Sequence, residues 1–94
     1  MARKYLTRSQ ETVLRKIVQD FKDRPITMTL DELAVLYDSS FDTMRRIFRF
    51  LRTHKMVEVV RCGWRHISIF TKEIFEYLKC PLEWIAKNSV EVRL

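Results

Sequence analysis

The run Leu33-Ala34-Val35-Leu36-Tyr37-Asp38-Ser39-Ser40-Phe41-Asp42-Thr43-Met44-Arg45-Arg46-Ile47-Phe48-Arg49-Phe50-Leu51 holds two apolar periodicities separated by a turn signal. From Phe41 to Thr53, Met44, Ile47, Phe48 and Leu51 recur at helical spacing and form one face. Asp42, Arg45, Arg46, Arg49 and Thr53 fall in a separate arc at about 100° per residue. Before it, Thr29-Leu30-Asp31-Glu32 is a capping box, and Leu33, Ala34, Leu36 and Tyr37 are the expected apolar face of a helix of roughly two turns. Asp38-Ser39-Ser40 separates the two. Aspartate tolerates left-handed backbone angles and Ser40 can cap the helix that begins at Phe41, so the stretch reads as helix, tight turn, helix.

Upstream, Thr7-Arg8-Ser9-Gln10 offers another cap, and Val13, Leu14, Ile17, Val18 and Phe21 give a first helix that ends before Pro25. Pro25-Ile26-Thr27-Met28 suits a brief edge strand. Downstream, Val57–Arg61 and Arg65–Phe70 read as two strands around Cys62-Gly63-Trp64, with the chain's one glycine in the turn. The expected register sets Arg61 opposite Arg65, Val59 opposite Ile67 and Val57 opposite Ile69, with His66 on the outer face opposite Val60. Two opposed arginines repel each other unless an anion lies between them, so this register predicts a phosphate at the tip.

Beyond the hairpin, Thr71 can cap a helix through Ile74, Phe75 and Leu78. Lys79-Cys80-Pro81 then marks a kink or a second short helix. Ser89–Leu94 alternates like a strand and equally suits a tail. The chain therefore reads as mainly α with a small β-hairpin, an α+β fold in the order helix, strand, helix, helix, strand, wing, strand, helix. Its parts are a basic arm over 1–8, a core over 9–70 and a C-terminal helical segment over 71–94.

Ninety-four residues suffice for one hydrophobic core and not for a large cavity between domains. Hydrophobic residues at 47% and charged residues at 32% are an ordinary globular balance, which argues against disorder. No apolar run approaches the roughly 18 residues of a membrane span, and Met-Ala-Arg-Lys-Tyr-Leu lacks the apolar stretch of a signal peptide, so the expected compartment is the cytoplasm. Cys62 and Cys80 are too few for a secreted disulfide scaffold.

The net charge of +6 comes in blocks. Residues 1–24 carry seven Lys/Arg against three Asp/Glu, and residues 41–66 carry seven against two. Residues 25–40 carry none against three, and residues 67–94 carry four against four. Arginine outnumbers lysine eleven to seven, and the guanidinium fork matches phosphate and guanine edges bidentately where an ammonium cannot. A solvated helix face normally mixes in acids, whereas the arginine arc offers only Asp42. The arc thus points to polyanion binding.

The element order and the run Leu33–Leu51 resemble the winged-helix variant of the helix-turn-helix. The resemblance is to transcription regulators of the small archaeal, bacterial or archaeal-virus type, over about residues 9–70. A Leu-Ala pair opens the second helix and Ser40 sits at the cap of the recognition helix. Three positions depart from that pattern: Asp38 and Lys55 stand where glycine is favoured, and Ser39 where an apolar residue is. The bends after the second and third helices are therefore expected to be less sharp, because a left-handed L-residue costs about 1–2 kcal/mol.

The resemblance implies double-stranded DNA as partner and sequence-specific binding, with the helix of about 40–53 in the major groove. Asp42, Thr43, Arg45, Arg46 and Arg49 become the groove-facing set, with Arg45 or Arg46 on guanine and Asp42 on a cytosine amine, and the cap residue Ser40 is counted with the DNA-binding residues. Arg52 and Lys55 become phosphate contacts. Arg61, Trp64 and Arg65 become the wing tip, with Trp64 either packed back on the domain or touching nucleic acid. Arg3, Lys4 and Arg8 are a basic arm or a solvated end. A protein-interaction module and an RNA-binding protein, the latter stacking on Trp64 and Phe41, are the alternatives.

Phe75, Leu78, Leu82, Trp84 and Ile85 offer more apolar surface than a monomer readily exposes, which predicts a homodimer with these helices at the two-fold axis unless they pack back on helix one. Two histidines, no glycine-rich loop and no paired-carboxylate motif leave no sign of an enzyme, a cofactor or a small-molecule substrate. Cys62, His66, His54 and Cys80 match no common zinc spacing, so no metal is expected.

Overall fold

The computed structural model describes residues 6–63 and 65–88. The chain is a mixed α/β fold, mostly helical. Helices α1 (Arg8–Phe21), α2 (Leu30–Leu36) and α3 (Phe41–Thr53) precede strands β1 (Val57–Cys62) and β2 (Arg65–Phe70). Helices α4 (Lys72–Lys79) and α5 (Pro81–Asn88) come last. Arg3, Lys4, Trp64 and the stretch Ser89–Leu94, to all of which the sequence assigned expectations, lie outside the described residues. Among the described residues no helix is long and apolar enough to cross a membrane.

Local hydrogen bonds start the first three helices where the sequence places them. Thr7 Oγ1 accepts from the Gln10 N–H while Gln10 Oε1 accepts from the Thr7 N–H, and Thr29 and Glu32 repeat this capping box at α2. Ser40 Oγ accepts from the Thr43 N–H at 3.0 Å and starts α3.

The ends of α2 and α3 are sharper than expected. Asp38 and Lys55 both take left-handed angles, with φ of 51° and 59°. After α2, the Ser39 N–H donates to the Ala34 carbonyl and the Asp38 N–H to the Val35 carbonyl. After α3, Met56 N–H donates to Leu51 and Lys55 N–H to Arg52. Both ends are Schellman motifs. Each satisfies two carbonyls that the helix end leaves without a partner, and that gain outweighs the Cβ clash which predicted gentler bends. Met56, delivered by the second motif, is fully buried.

The hairpin register differs from the expected one by a single residue. Val57 pairs with Phe70, Val59 with Ser68, Val60 with Ile67, Arg61 with His66 and Cys62 with Arg65. Cys62 is thus the last residue of β1 rather than part of the loop, and Gly63 has φ +68°, a positive value that tight hairpins require. Val57 is buried, and its cross-strand partner Phe70 packs against the core. Ile26 exchanges hydrogen bonds with Ser68 at 2.8 and 3.0 Å, the single bridge in which the expected edge strand of Pro25–Met28 survives.

One core joins Leu14, Ile17 and Val18 of α1 to Leu33 of α2, Met44, Ile47 and Leu51 of α3, and Ile74, Tyr77, Trp84 and Ile85 of the last two helices. Leu36, expected on the apolar face of α2, is exposed. It lies about 110° round the helix axis from the midpoint of the buried Leu33 and Ala34. Two further corrections concern the C-terminal segment. Thr71 precedes α4 without capping it by its side chain; its hydroxyl donates instead to the Lys55 carbonyl at 2.8 Å. Trp84 and Ile85, expected at a dimer face, are 7% and 1% exposed within the single chain. Trp84 packs edge to face on His54 at the end of α3 and on Tyr77 of α4, and Ile85 joins the same core.

Candidate functional site

α3 is built to be buried on one side and wet on the other. Its core stripe holds Met44, Ile47, Phe48 and Leu51, and Phe50 extends the buried surface toward α4. Asp42, Arg45, Arg46, Arg49, Arg52 and Thr53 are all exposed, and together they cover an arc of about 120°. The arginine arc read from the sequence is therefore a solvent face.

Asp42 dominates the geometry of that face. Its Oδ1 accepts from an Arg45 terminal nitrogen at 2.8 Å, and its Oδ2 from Arg46 Nε at 2.8 Å. These two bonds, that from Arg46 the stronger influence, hold the Asp42 carboxyl below the usual carboxylate range, and Asp42 in return raises the Arg46 guanidinium. Arg49 and Arg52 form no ion pair among the described residues. Of the acceptor sites on Asp42 assigned from sequence to a cytosine amine, one on each oxygen is already taken by an arginine of its own helix.

Two other residues assigned to DNA binding, Ser40 and Thr43, make the cap. Ser40 Oγ donates to Thr43 Oγ1 at 2.9 Å while accepting from the Thr43 backbone, and Thr43 is half-buried. Phe41, in the first turn of α3, is by contrast 47% exposed, and Val35 and Leu36 at the end of α2 are exposed as well.

Lys55 is exposed, and its backbone is fixed from both sides. The left-handed turn sets its direction, and the Thr71 hydroxyl and N–H bind the carbonyls of Lys55 and Met56 at 2.8 and 2.9 Å. At the hairpin, Arg61 faces His66 and Cys62 faces Arg65, so Arg61 and Arg65 lie on opposite faces of the sheet. The expected Arg61–Arg65 repulsion is absent, and the reason it gave for a phosphate between them goes with it. The same register puts Cys62 and His66 on opposite faces. Among the described residues no group of three or more His, Cys, Asp or Glu is placed to hold a metal.

Behind α3 lies an aromatic cluster that the sequence does not announce. Phe50 meets His54 with ring centroids 4.6 Å apart and Tyr77 at 5.5 Å, and Trp84 meets His54 at 5.6 Å and Tyr77 at 5.9 Å. The i,i+4 spacing of Phe50 and His54 was its only local signal. Burial pushes the His54 imidazole below its ordinary value. Burial, then the neighbouring Glu11 carboxylate that accepts from its hydroxyl, pushes the Tyr77 phenol up. Arg15 bonds both Glu11 and the Leu78 carbonyl, which ties α1 to α4.

Of the five residues expected at a dimer face, Phe75 and Leu82 are exposed, Leu82 at 70%, Leu78 is half-buried, and Trp84 and Ile85 are in the core. A cleft of about 380 Å³ opens between the edge of β2 and the start of α2, over Ile26, Leu33 and Phe48 with Thr29 and His66 at its sides; among the described residues no carboxylate or thiol lines it. No protein-family model, no curated protein and no solved structure matches the chain.

Proposed function

We propose that the chain is a winged-helix protein that binds double-stranded DNA and regulates transcription, with α3 in the major groove and the β1–β2 hairpin as the wing. The observation that carries this reading is the solvent face of α3: four exposed arginines and one acid on a helix whose opposite face is core. Such a helix presents planar cationic forks on a rigid support, the arrangement suited to phosphate and guanine edges. The tight α2–α3 turn and the hairpin after α3 match the element order of that class. Arg45, Arg46 and Arg49 face the groove in this reading, Arg45 or Arg46 on guanine, while Arg49 joins Arg52, Lys55, Arg61 and Arg65 in contacting the backbone.

Phe75 and Leu82 give the same reading a homodimer, in which two copies of α3 address half-sites about one helical turn apart. A second reading rests on the exposed Val35, Leu36 and Phe41, which suit a protein-interaction module. Titrating the protein into duplex DNA and into single-stranded RNA at several salt concentrations separates the possibilities. The duplex reading predicts tighter duplex binding that falls steeply with salt. Binding to neither nucleic acid favours the protein partner.

A further inference from the structure

We infer that Asp42 is a specificity-determining residue: by holding Arg45 and Arg46 it keeps α3 off generic phosphate and releases the two forks only to a matching base edge. This rests on the duplex-DNA reading above. Asp42 is the only Asp or Glu between Asp38 and Glu58, and it lies in the first turn of α3, at the N-terminal end of the arginine face and within the arc that the arginines span. Each of its oxygens takes one guanidinium at 2.8 Å, so a single carboxylate engages two of the four arginines. Arg49 and Arg52 have no such partner among the described residues. The face is thereby divided into two clamped and two unclamped cations.

The division has a chemical consequence. Backbone phosphates recur along every duplex and satisfy any cation that reaches them, so Arg49 and Arg52 supply sequence-independent attraction. The Asp42 carboxylate repels those same phosphates and competes with them for Arg45 and Arg46. All three side chains are about half-exposed, so the pairing is weak enough to exchange. The clamp also orients what it holds. Arg46 is bound through Nε, which leaves both terminal nitrogens as donors, and Arg45 is bound through one terminal nitrogen, which leaves its Nε and the other. A guanine edge, with N7 and O6 side by side, offers a bidentate acceptor without a full negative charge near Asp42. Base edges therefore gain relative to phosphate.

The test compares wild type with Asp42→Asn and Asp42→Glu on two duplexes: one of mixed sequence, and the preferred sequence recovered from a random duplex pool with wild type. Thermal melting of each variant verifies folding, and affinity is read against salt. Asp42→Asn is expected to bind the mixed duplex about threefold to tenfold more tightly at 0.1 M salt. Its log–log salt slope steepens by about 0.9, one net phosphate contact, and its preference for the selected sequence shrinks by a similar factor. Asp42→Glu, which keeps the charge, retains the wild-type slope. A merely structural role at the start of α3 would move the melting temperature and not the slope. Unchanged slope and preference in Asp42→Asn, with a wild type that binds duplex, overturn the assignment alone. A wild type that binds no duplex overturns the duplex reading and this assignment with it.

Discussion

His54, which closes the C-terminal end of α3, and Trp84 of α5 meet edge to face, with ring centroids 5.6 Å apart and planes at 79°. With Phe50 and Tyr77 they fasten the C-terminal helix pair to the helix that carries the arginines. The support of the candidate site thus depends on an imidazole held in an apolar setting.

That setting makes stability pH-dependent. Burial lowers the folded-state value of His54 below that of the unfolded chain, about 6.5, so the neutral ring is favoured by folding. The contribution is present above pH 6.5 and is lost as pH falls through the folded-state value. Thermal midpoints between pH 7.5 and 5 should fall for wild type and fall less for His54→Phe. Parallel curves would remove His54 from this role.

The left-handed positions predict a gain from glycine. Lys55→Gly should stabilise the fold by about 0.5–1 kcal/mol, and Lys55→Val should destabilise it by about 1–2 kcal/mol, measured by urea unfolding. Asp38→Gly should gain less, because aspartate tolerates this conformation better than lysine. A loss on Lys55→Gly would show that the lysine side chain contributes more than its backbone angle costs.

Burial separates the C-terminal apolar residues into two kinds. Trp84→Ala removes a core side chain and should cost about 3–5 kcal/mol in the single chain. Phe75→Glu/Leu82→Glu alters exposed positions and should leave the fold intact, yet lower the mass in solution from twice the chain mass to 11.4 kDa. An 11.4 kDa wild type would remove the dimer from the proposal.

The helices could be read from the chain because their signals are local. Thr7 with Gln10, Thr29 with Glu32, and Ser40 fix the starts, and the apolar stripe of α3 fixes its buried side. The hairpin register could not, since Cys62-Gly63-Trp64 permits a two- or a three-residue loop, and one residue of slip reassigns every partner. The choice is made by tertiary pairing, in which Ser68 meets Ile26 and Val57 reaches the core. Trp84 and Ile85 misled for a related reason. Periodicity shows that a helix has an apolar face and says nothing about whether the chain itself covers it. At the candidate site, the exposure of the arginine arc was legible from spacing, whereas the Asp42 clamp depends on side-chain rotamers that no spacing specifies.

In the proposed function the solvent face of α3 makes the nucleic-acid contacts. The most direct test is the affinity of wild type and Arg45→Ala/Arg49→Ala for a mixed-sequence DNA duplex, measured against salt. Wild type should show a log–log slope worth several phosphates, at about −0.9 per contact, and Arg45→Ala/Arg49→Ala should bind more weakly with a slope shallower by about 0.9, the one phosphate contact of Arg49. Equal affinities and equal slopes for the two proteins would contradict this assignment.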